Sequence, residues 1–324
     1  MQTVREEQAE LRGFGMDSFE RKKASFFRRW GWRFLPFAQT DPLPHPKLMV
    51  PHQKEEVVKL VDLIREGDLV TFVVSDLGMG KTTLCKYLSE VLPLQDPQLL
   101  TVFVPAQSVQ TPEQMLRILL NRLEIEAGGD LTEEFEKFYR WHQAYPESKL
   151  VVFVDEFPEL DVKVAEMIRA LADLKNITWV LNGRKDQILD YLQEHVPSLL
   201  SRKRYMMEMK PLSLEEVREL LLLRMAWARG EVNPRGDSLL PFTPSSLRRI
   251  HRLSGGIPRE VLKLASDAVY SAIEKNATRI QASLVGERKK RSPRKKAKRK
   301  PRPRRRRVRK RRKKAKRRFS FFGR

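Results

Sequence analysis

The sequence has one cysteine, Cys85, among 324 residues. A single thiol forms no internal disulfide and builds no thiolate metal cluster by itself, which excludes a cross-linked secreted scaffold and argues against zinc chemistry. Long apolar runs are lacking too. No window offers the roughly 18 uncharged apolar residues of a membrane span, and Met1 to Leu11 hold no apolar stretch of signal-peptide length. Acids are almost missing from the last segment, where Glu287 to Arg324 carry 25 basic residues and one acid. Everything before it is balanced, with 39 basic and 40 acidic residues, so the net charge of +23 resides in the tail. These absences lead to the expectation of an intracellular, cytoplasmic and soluble protein. A hydrophobic content of 41% gives the balanced part enough core for one large domain with a smaller companion.

What is present is a repeated alternation. LVTFVVS (Leu69 to Ser75), LLTVFV (Leu99 to Val104), LVVFV (Leu150 to Val154) and ITWVL (Ile177 to Leu181) are short, continuous, β-rich apolar runs of the kind buried on both faces of a parallel sheet. Segments of helical period separate them: Lys81 to Leu92, Pro112 to Ile125, Thr132 to Tyr145 and Val162 to Leu174. Arg204 to Met209 adds a last β-like stretch before Pro211. The pattern is that of an α/β fold. Helical patterns alone follow. Ser213 with Glu216 has capping-box spacing, Thr243-Pro244 opens a second helix, and Ile257-Pro258 opens a third beyond Gly255-Gly256. The expected division is an arm (residues 1–51), an α/β core (52–210), a small all-α lid (211–286) and a basic tail (287–324).

The first strong strand runs directly into Ser75-Asp76-Leu77-Gly78-Met79-Gly80-Lys81-Thr82-Thr83 and then into a helix. This is the setting of a phosphate-binding loop. A polyphosphate requires inward backbone N–H groups, glycines where side chains would collide, a lysine for the β and γ oxygens, a hydroxyl for Mg²⁺ and a helix N-terminus behind them. Gly78, Gly80, Lys81 and Thr82 supply those parts, with Met79 and Thr83 beside them. Ser75 stands where the usual pattern has its first glycine. The plainer reading, a Gly-rich turn that merely caps a helix, does not account for strand, loop, lysine and helix in this order.

A second strand, Leu150 to Val154, ends in Asp155-Glu156. Acids at a strand end are often only solvated charges. Following a phosphate loop they divide the work of phosphoryl transfer, Asp155 holding the metal and Glu156 polarising the attacking water. Asn182 follows ITWVL, the strand expected beside the loop strand, and is placed to bond the γ-phosphate or the water; asparagine before glycine is equally ordinary turn chemistry. Arg259 occupies the first turn of a lid helix, where the helix dipole disfavours a cation. A bound γ-phosphate explains it better than solvent exposure beside Glu260.

On these residues the chain resembles the AAA+ ATPases, in particular archaeal replication-initiator ATPases and ExeA-like or transposition-helper ATPases, over about Pro36 to Lys275. Gly78 to Thr82 match Walker A, Asp155 and Glu156 match Walker B, Asn182 matches sensor 1 and Arg259 in GGIPR matches sensor 2. Leu35-Pro36-Phe37 followed by Asp41-Pro42 looks like the lead-in of ExeA-type proteins. The resemblance implies ATP and Mg²⁺ as ligands, hydrolysis to ADP and phosphate, and a homo-oligomer in which an arginine of one subunit completes the site of the next. Arg202, then Arg204, match the region that carries this residue; a basic loop facing water is the alternative.

The tail contains almost nothing to bury and its charges repel, so it is expected to be extended and disordered, with a polyanion as its partner. Nucleic acid is the leading choice; anionic lipid, with Phe319, Phe321 and Phe322 at the surface, is the other. In the arm, Phe26, Phe27, Trp30, Trp32 and Phe34 alternate with cations, and packing over the core is favoured over stacking on bases. The expected protein is therefore an ATPase serving a nucleic-acid task of the replication, transposition or recombination type. Its rivals are a STAND-type signalling switch with slow hydrolysis and, less well matched, a small-molecule kinase.

Overall fold

Strand runs covered on both faces dictate the centre of the molecule. In a computed structural model, which describes residues 16–38, 45–67, 70–231, 236 and 238–286, they form one five-stranded sheet. Its strands are β1 (Val70–Val74), β2 (Leu99–Pro105), β3 (Lys149–Asp155), β4 (Ile177–Gly183) and β5 (Lys203–Glu208). All are parallel, in the order β2-β3-β4-β1-β5. Side chains alternate between two apolar layers. Leu150, Val152 and Val154 of β3, with Ile177, Trp179 and Leu181 of β4, face one layer. Val151, Phe153 and Val180 face the other. Because both layers are buried, neither strand needs a polar face, and the sequence reads as an unbroken apolar run.

The helices are α1 (Met16–Trp30), α2 (Lys54–Glu66), α3 (Lys81–Gln95), α4 (Pro112–Arg122), α5 (Leu131–Ala144), α6 (Val162–Leu171), α7 (Lys185–His195), α8 (Pro197–Ser201), α9 (Leu214–Arg229), α10 (Pro244–Ser254) and α11 (Pro258–Glu274). Helices α4 to α7 cover the first layer. Helices α2 and α3 cover the second, through Leu60, Ile64, Leu84, Cys85, Leu88 and Leu92. Helix α3 leaves β1 and packs on β2, β3 and β4, so the chain crosses two strands before it rejoins the sheet. Such a crossover leaves a crevice at the carboxyl ends of the strands.

Helices α9 to α11 build a third apolar cluster with the arm. Ser213 and Glu216 form the complete capping box expected at α9, and Thr243 with Ser246 forms one at α10. Trp32 lies 5.8 Å from Phe26 and 6.3 Å from Phe37 between ring centroids, and Phe37 meets Phe242 at 5.6 Å. The arm aromatics thus pack on the helical region, with Phe34 the more exposed of them. All described residues lie in one compact unit. The lead-in Asp41-Pro42 and the tail expected to be extended, 287–324, lie outside the described residues. Among the described residues no helix is long and apolar enough to cross a membrane.

Candidate active site

Three strand ends and one helix start meet at the crevice. Gly80 caps α3 in a left-handed conformation, φ 97°, which turns the loop so that Lys81 opens the helix. Gly78 is needed for two reasons: its φ is 82°, and a Cβ there would stand 3.0 Å from Arg259 Cβ. The N–H of Arg259 donates to the Gly78 carbonyl at 3.2 Å, so the first turn of α11 rests on the loop. Gly78 of GMGK and Arg259 of GGIPR, 181 positions apart, are thereby joined at one backbone hydrogen bond.

The buried Lys81 ammonium donates to the carbonyls of Ser75 (3.2 Å) and Asp76 (3.1 Å) and to Ser75 Oγ (3.3 Å). Ser75, in the place of the usual glycine, contributes its hydroxyl to this nest without blocking it. One residue on, Thr82 Oγ1 donates to Asp155 Oδ1 at 2.9 Å. Glu156 follows with φ 54° and ψ 48°, a left-handed conformation that costs a residue with a side chain on the order of 1–3 kcal/mol. The Glu156 N–H is fastened by Asn182 Oδ1 at 3.2 Å. Asn182-Gly183 is not a turn: both residues belong to β4, and Asn182 pairs with Val73 of the loop strand.

These groups share one electrostatic neighbourhood. Burial pulls the Lys81 ammonium below the usual lysine range, against Glu156, Asp155 and Asp76, which favour its charge. Burial raises the Glu156 carboxyl above the usual carboxylate range; Lys81 opposes the rise, while Asp155 and Glu159 add to it. Two acids crowding one lysine is the situation a divalent cation relieves. The donor set fits Mg²⁺, which takes one or two protein ligands and completes its shell with water and phosphate oxygens. Thr82 and Asp155 provide such a pair. Among the described residues no group of three or more His, Cys, Asp or Glu forms an all-protein metal cage.

A cleft of about 260 Å³ runs from this cluster towards the helical region. Gly78, Met79, Gly80, Lys81, Thr82, Thr83, Glu156 and Arg259 line its polar end. Leu48, Met49, Val50, Leu212, Leu220 and Leu262 line its apolar end, with His52 and Arg224 on the wall. The sequence alone did not single out these apolar residues, nor His52. They come from the arm and the lid, and only the fold brings them together. Asn182 lies beneath the cleft, wholly buried. Arg202 lies elsewhere: its guanidinium grips Asp173 at 2.7 and 2.9 Å and donates to the Ser198 carbonyl at 2.9 Å. Arg204 is exposed on β5.

A family described as the AAA domain matches residues 64–192. The chain is 25% identical over 248 residues to General secretion pathway protein A of Aeromonas hydrophila, covering 73% of this chain and 43% of that protein. It therefore spans less than half the length of this relative. Among solved structures, CDC6P from Pyrobaculum aerophilum superposes with a TM-score of 0.57 at 16% identity, covering 76% of this chain and 67% of that one. The ORC2 protein of Aeropyrum pernix gives 0.55 at 16% identity, over 77% of this chain and 69% of that one. At these identities the likeness concerns the fold.

Proposed function

Residues 64–192 match the AAA domain and the chain carries an AAA+ P-loop fold, and from that premise we propose that it is a Mg²⁺-dependent ATPase working on nucleic acid. The observation that carries the enzymatic reading is that Lys81, Thr82 and Glu156 line one cleft together with apolar residues, and that Thr82 bonds Asp155 behind it. In this reading the triphosphate lies on the N–H groups of Gly78 to Thr83, and the base lies among Leu48, Met49, Val50, Leu220 and Leu262. Lys81 exchanges the carbonyls of Ser75 and Asp76 for phosphate oxygens. Thr82 and Asp155 would hold Mg²⁺, which would supply neutralisation of charge on the phosphate oxygens. Glu156 orients the attacking water and accepts its proton, while Arg259 faces the γ-phosphate. The products are ADP and phosphate.

The nucleic-acid half rests on the tail, 25 cations against one acid. Each phosphate it neutralises releases condensed counterions, so binding weakens by about 0.9 log units per contact for each tenfold rise in salt. Oligomerisation with Arg202 acting on a neighbouring site belongs to the same reading; its pairing with Asp173 holds the guanidinium in one orientation. The name of the Aeromonas hydrophila relative favours a second reading, an ATPase serving a secretion assembly, with the tail on another polyanion. A STAND-type switch is the slow-turnover variant of either. ATPase rates with and without DNA or RNA, for the full chain and for a chain ending at Gly286, test the proposal. Stimulation of the full chain alone, lost at high salt, supports it. A full chain that neither binds nor responds to polynucleotide retains the ATPase reading and loses the nucleic-acid one.

A further inference from the structure

We propose that the outward face of helix α10, through Arg248 and Arg252, is a folded site for the phosphate backbone of a nucleic acid, and that a strand bound there acts on turnover through the phosphate loop. The inference rests on the nucleic-acid reading above and gives it a defined surface. From Ser238 to Arg259 the sequence holds four arginines and no acid. Helix α10 sorts its basic groups by face. Ser246, Leu247, Ile250 and Ser254, at helical spacing, are buried within the helical region. Arg249 Nε donates to the Val285 carbonyl at 2.9 Å, and His251 Nε2 lies 3.2 Å from the Leu212 carbonyl, so these two serve the packing. Arg248 and Arg252 are exposed, and among the described residues neither forms a hydrogen bond or an ion pair. They stand one turn apart, about 5–6 Å between Cβ atoms, and their like charges repel unless an anion lies across them. The helix dipole favours Arg252 in the last turn but does nothing for Arg248 in the middle.

The surroundings favour a nucleic acid over a membrane. An amphipathic helix enters lipid by its apolar face, and that face of α10 is already buried; Leu253 alone among its large apolar side chains is exposed. The outward face carries neither an aromatic nor an amide side chain to read bases, so the contact is to phosphate and indifferent to sequence. The described chain also ends against this helix. The 3-10 turn Ala282–Leu284 packs on α10, and a Cβ on Gly286 would stand 2.8 Å from Leu253 Cδ1. The 25 cations of residues 287–324 follow in the sequence, so they are joined to the chain beside this face. The route to turnover is short. Gly255 caps α10, the Gly256 carbonyl accepts the Leu212 N–H at 2.9 Å, and the Arg259 N–H of the next helix rests on the Gly78 carbonyl. Load on α10 is thereby carried to the phosphate loop.

The test uses the full chain, with a short DNA duplex and an RNA duplex of the same sequence as probes. Binding is measured as a function of salt, and ATPase rate with and without duplex. The proteins are the wild type, Arg248→Gln/Arg252→Gln, the charge-preserving Arg248→Lys/Arg252→Lys, and Arg305→Gln/Arg306→Gln, which removes the same charge from the tail, with thermal melting as the fold control. The glutamine pair on α10 is expected to weaken binding by about tenfold or more and to lower the slope of log affinity against log salt by about 0.9 for each arginine lost. It is also expected to remove most of the stimulation of turnover by duplex. The lysine pair keeps all three, because a phosphate contact of this kind needs only the charge. The tail pair keeps the stimulation. Losses with one duplex alone support the site and name its nucleic acid. A wild-type salt slope and stimulation in the α10 glutamine pair, or the same losses in the tail pair, would overturn the proposal, since the face would then add only general charge. Weakened binding to phosphatidylserine vesicles with unchanged binding to both duplexes would overturn it in favour of a membrane. A wild type that binds duplex without stimulation overturns the coupling to turnover. A wild type that binds neither duplex removes the nucleic-acid reading itself.

Discussion

Thr82 and Asp155, 73 positions apart, meet at 2.9 Å where helix α3 begins and strand β3 ends. In the proposed reading a hydroxyl and a carboxylate at that separation, beside the lysine of the phosphate loop, would supply the protein oxygens of a magnesium site. Replacing Asp155 by Asn keeps the shape and a hydrogen-bond acceptor but removes the charge. Turnover is expected to fall on the order of a hundredfold at fixed magnesium, and the Mg²⁺ concentration needed for half-maximal rate to rise. A magnesium titration of ATPase activity that superposes on the wild type would show that Asp155 holds no metal.

Glu156 should leave a mark on the pH profile. Burial raises its carboxyl, so it keeps its proton to higher pH than an ordinary glutamate. A base must be unprotonated to act, and the acid limb of kcat is therefore expected above the usual glutamate range. Glu156→Gln should lower kcat by roughly 10²–10⁴-fold, preserve ATP binding and erase that limb. An unchanged profile in the variant would assign the limb to another group.

Cys85 makes stability depend on alkali. Burial pushes its thiol up to about 12 from the ordinary 9.0, so the native protein retains a proton that the unfolded chain releases above pH 9. The resulting stabilisation is complete below about pH 9 and is lost as pH rises towards 12, by about 1.4 kcal/mol per unit. Wild type should therefore lose melting temperature faster than Cys85→Val between mildly and strongly alkaline pH. Parallel curves would count against a buried thiol, as would rapid alkylation of Cys85 in the native protein.

His52 ties three segments together beside the cleft. Its Nδ1 lies 2.8 Å from Glu216 Oε1 on α9, and its Nε2 lies 2.8 Å from the Lys210 carbonyl at the start of the helical region. Burial works against the Glu216 charge, but hydrogen bonds from His52 and Ser213 hold its carboxyl below the usual range. That contribution is present above the ordinary glutamate range and is lost as pH falls through the lowered value. His52→Ala is expected to destabilise the fold by about 2 kcal/mol and to raise KM for ATP more than it lowers kcat. Denaturant unfolding and steady-state kinetics decide the point, and unaltered values of both would mean that this strap holds nothing.

The parallel sheet was legible because Val151, Val152, Phe153 and Val180 face covered layers and leave no polar alternation to confuse the pattern. The phosphate loop was legible because GMGKTT needs only its own strand and helix. Strand ends were harder. Asp155 and Asn182 could be assigned to the crevice, yet the bond from Asn182 to Cys85 spans 97 positions and depends on which face of β4 the asparagine takes. The helix at Met16–Trp30 was missed: its Phe26 and Phe27 alternate with cations, and its apolar side acquires meaning only against α11, where Phe19 stacks on Tyr270 at 6.2 Å. Period seven from Phe19 to Phe26 was the available signal. The apolar end of the cleft had none, since Met49, Leu220 and Leu262 come from three unconnected segments.

The central claim is that Lys81 and its loop grip the phosphates of ATP, and calorimetric titration of the wild type and of Lys81→Ala with ATP, in the presence and absence of Mg²⁺, tests it most directly. The account predicts magnesium-dependent heat with the wild type and at least a tenfold weaker association, or none, with Lys81→Ala. Equal heats from the two proteins, or no binding by either, would contradict it.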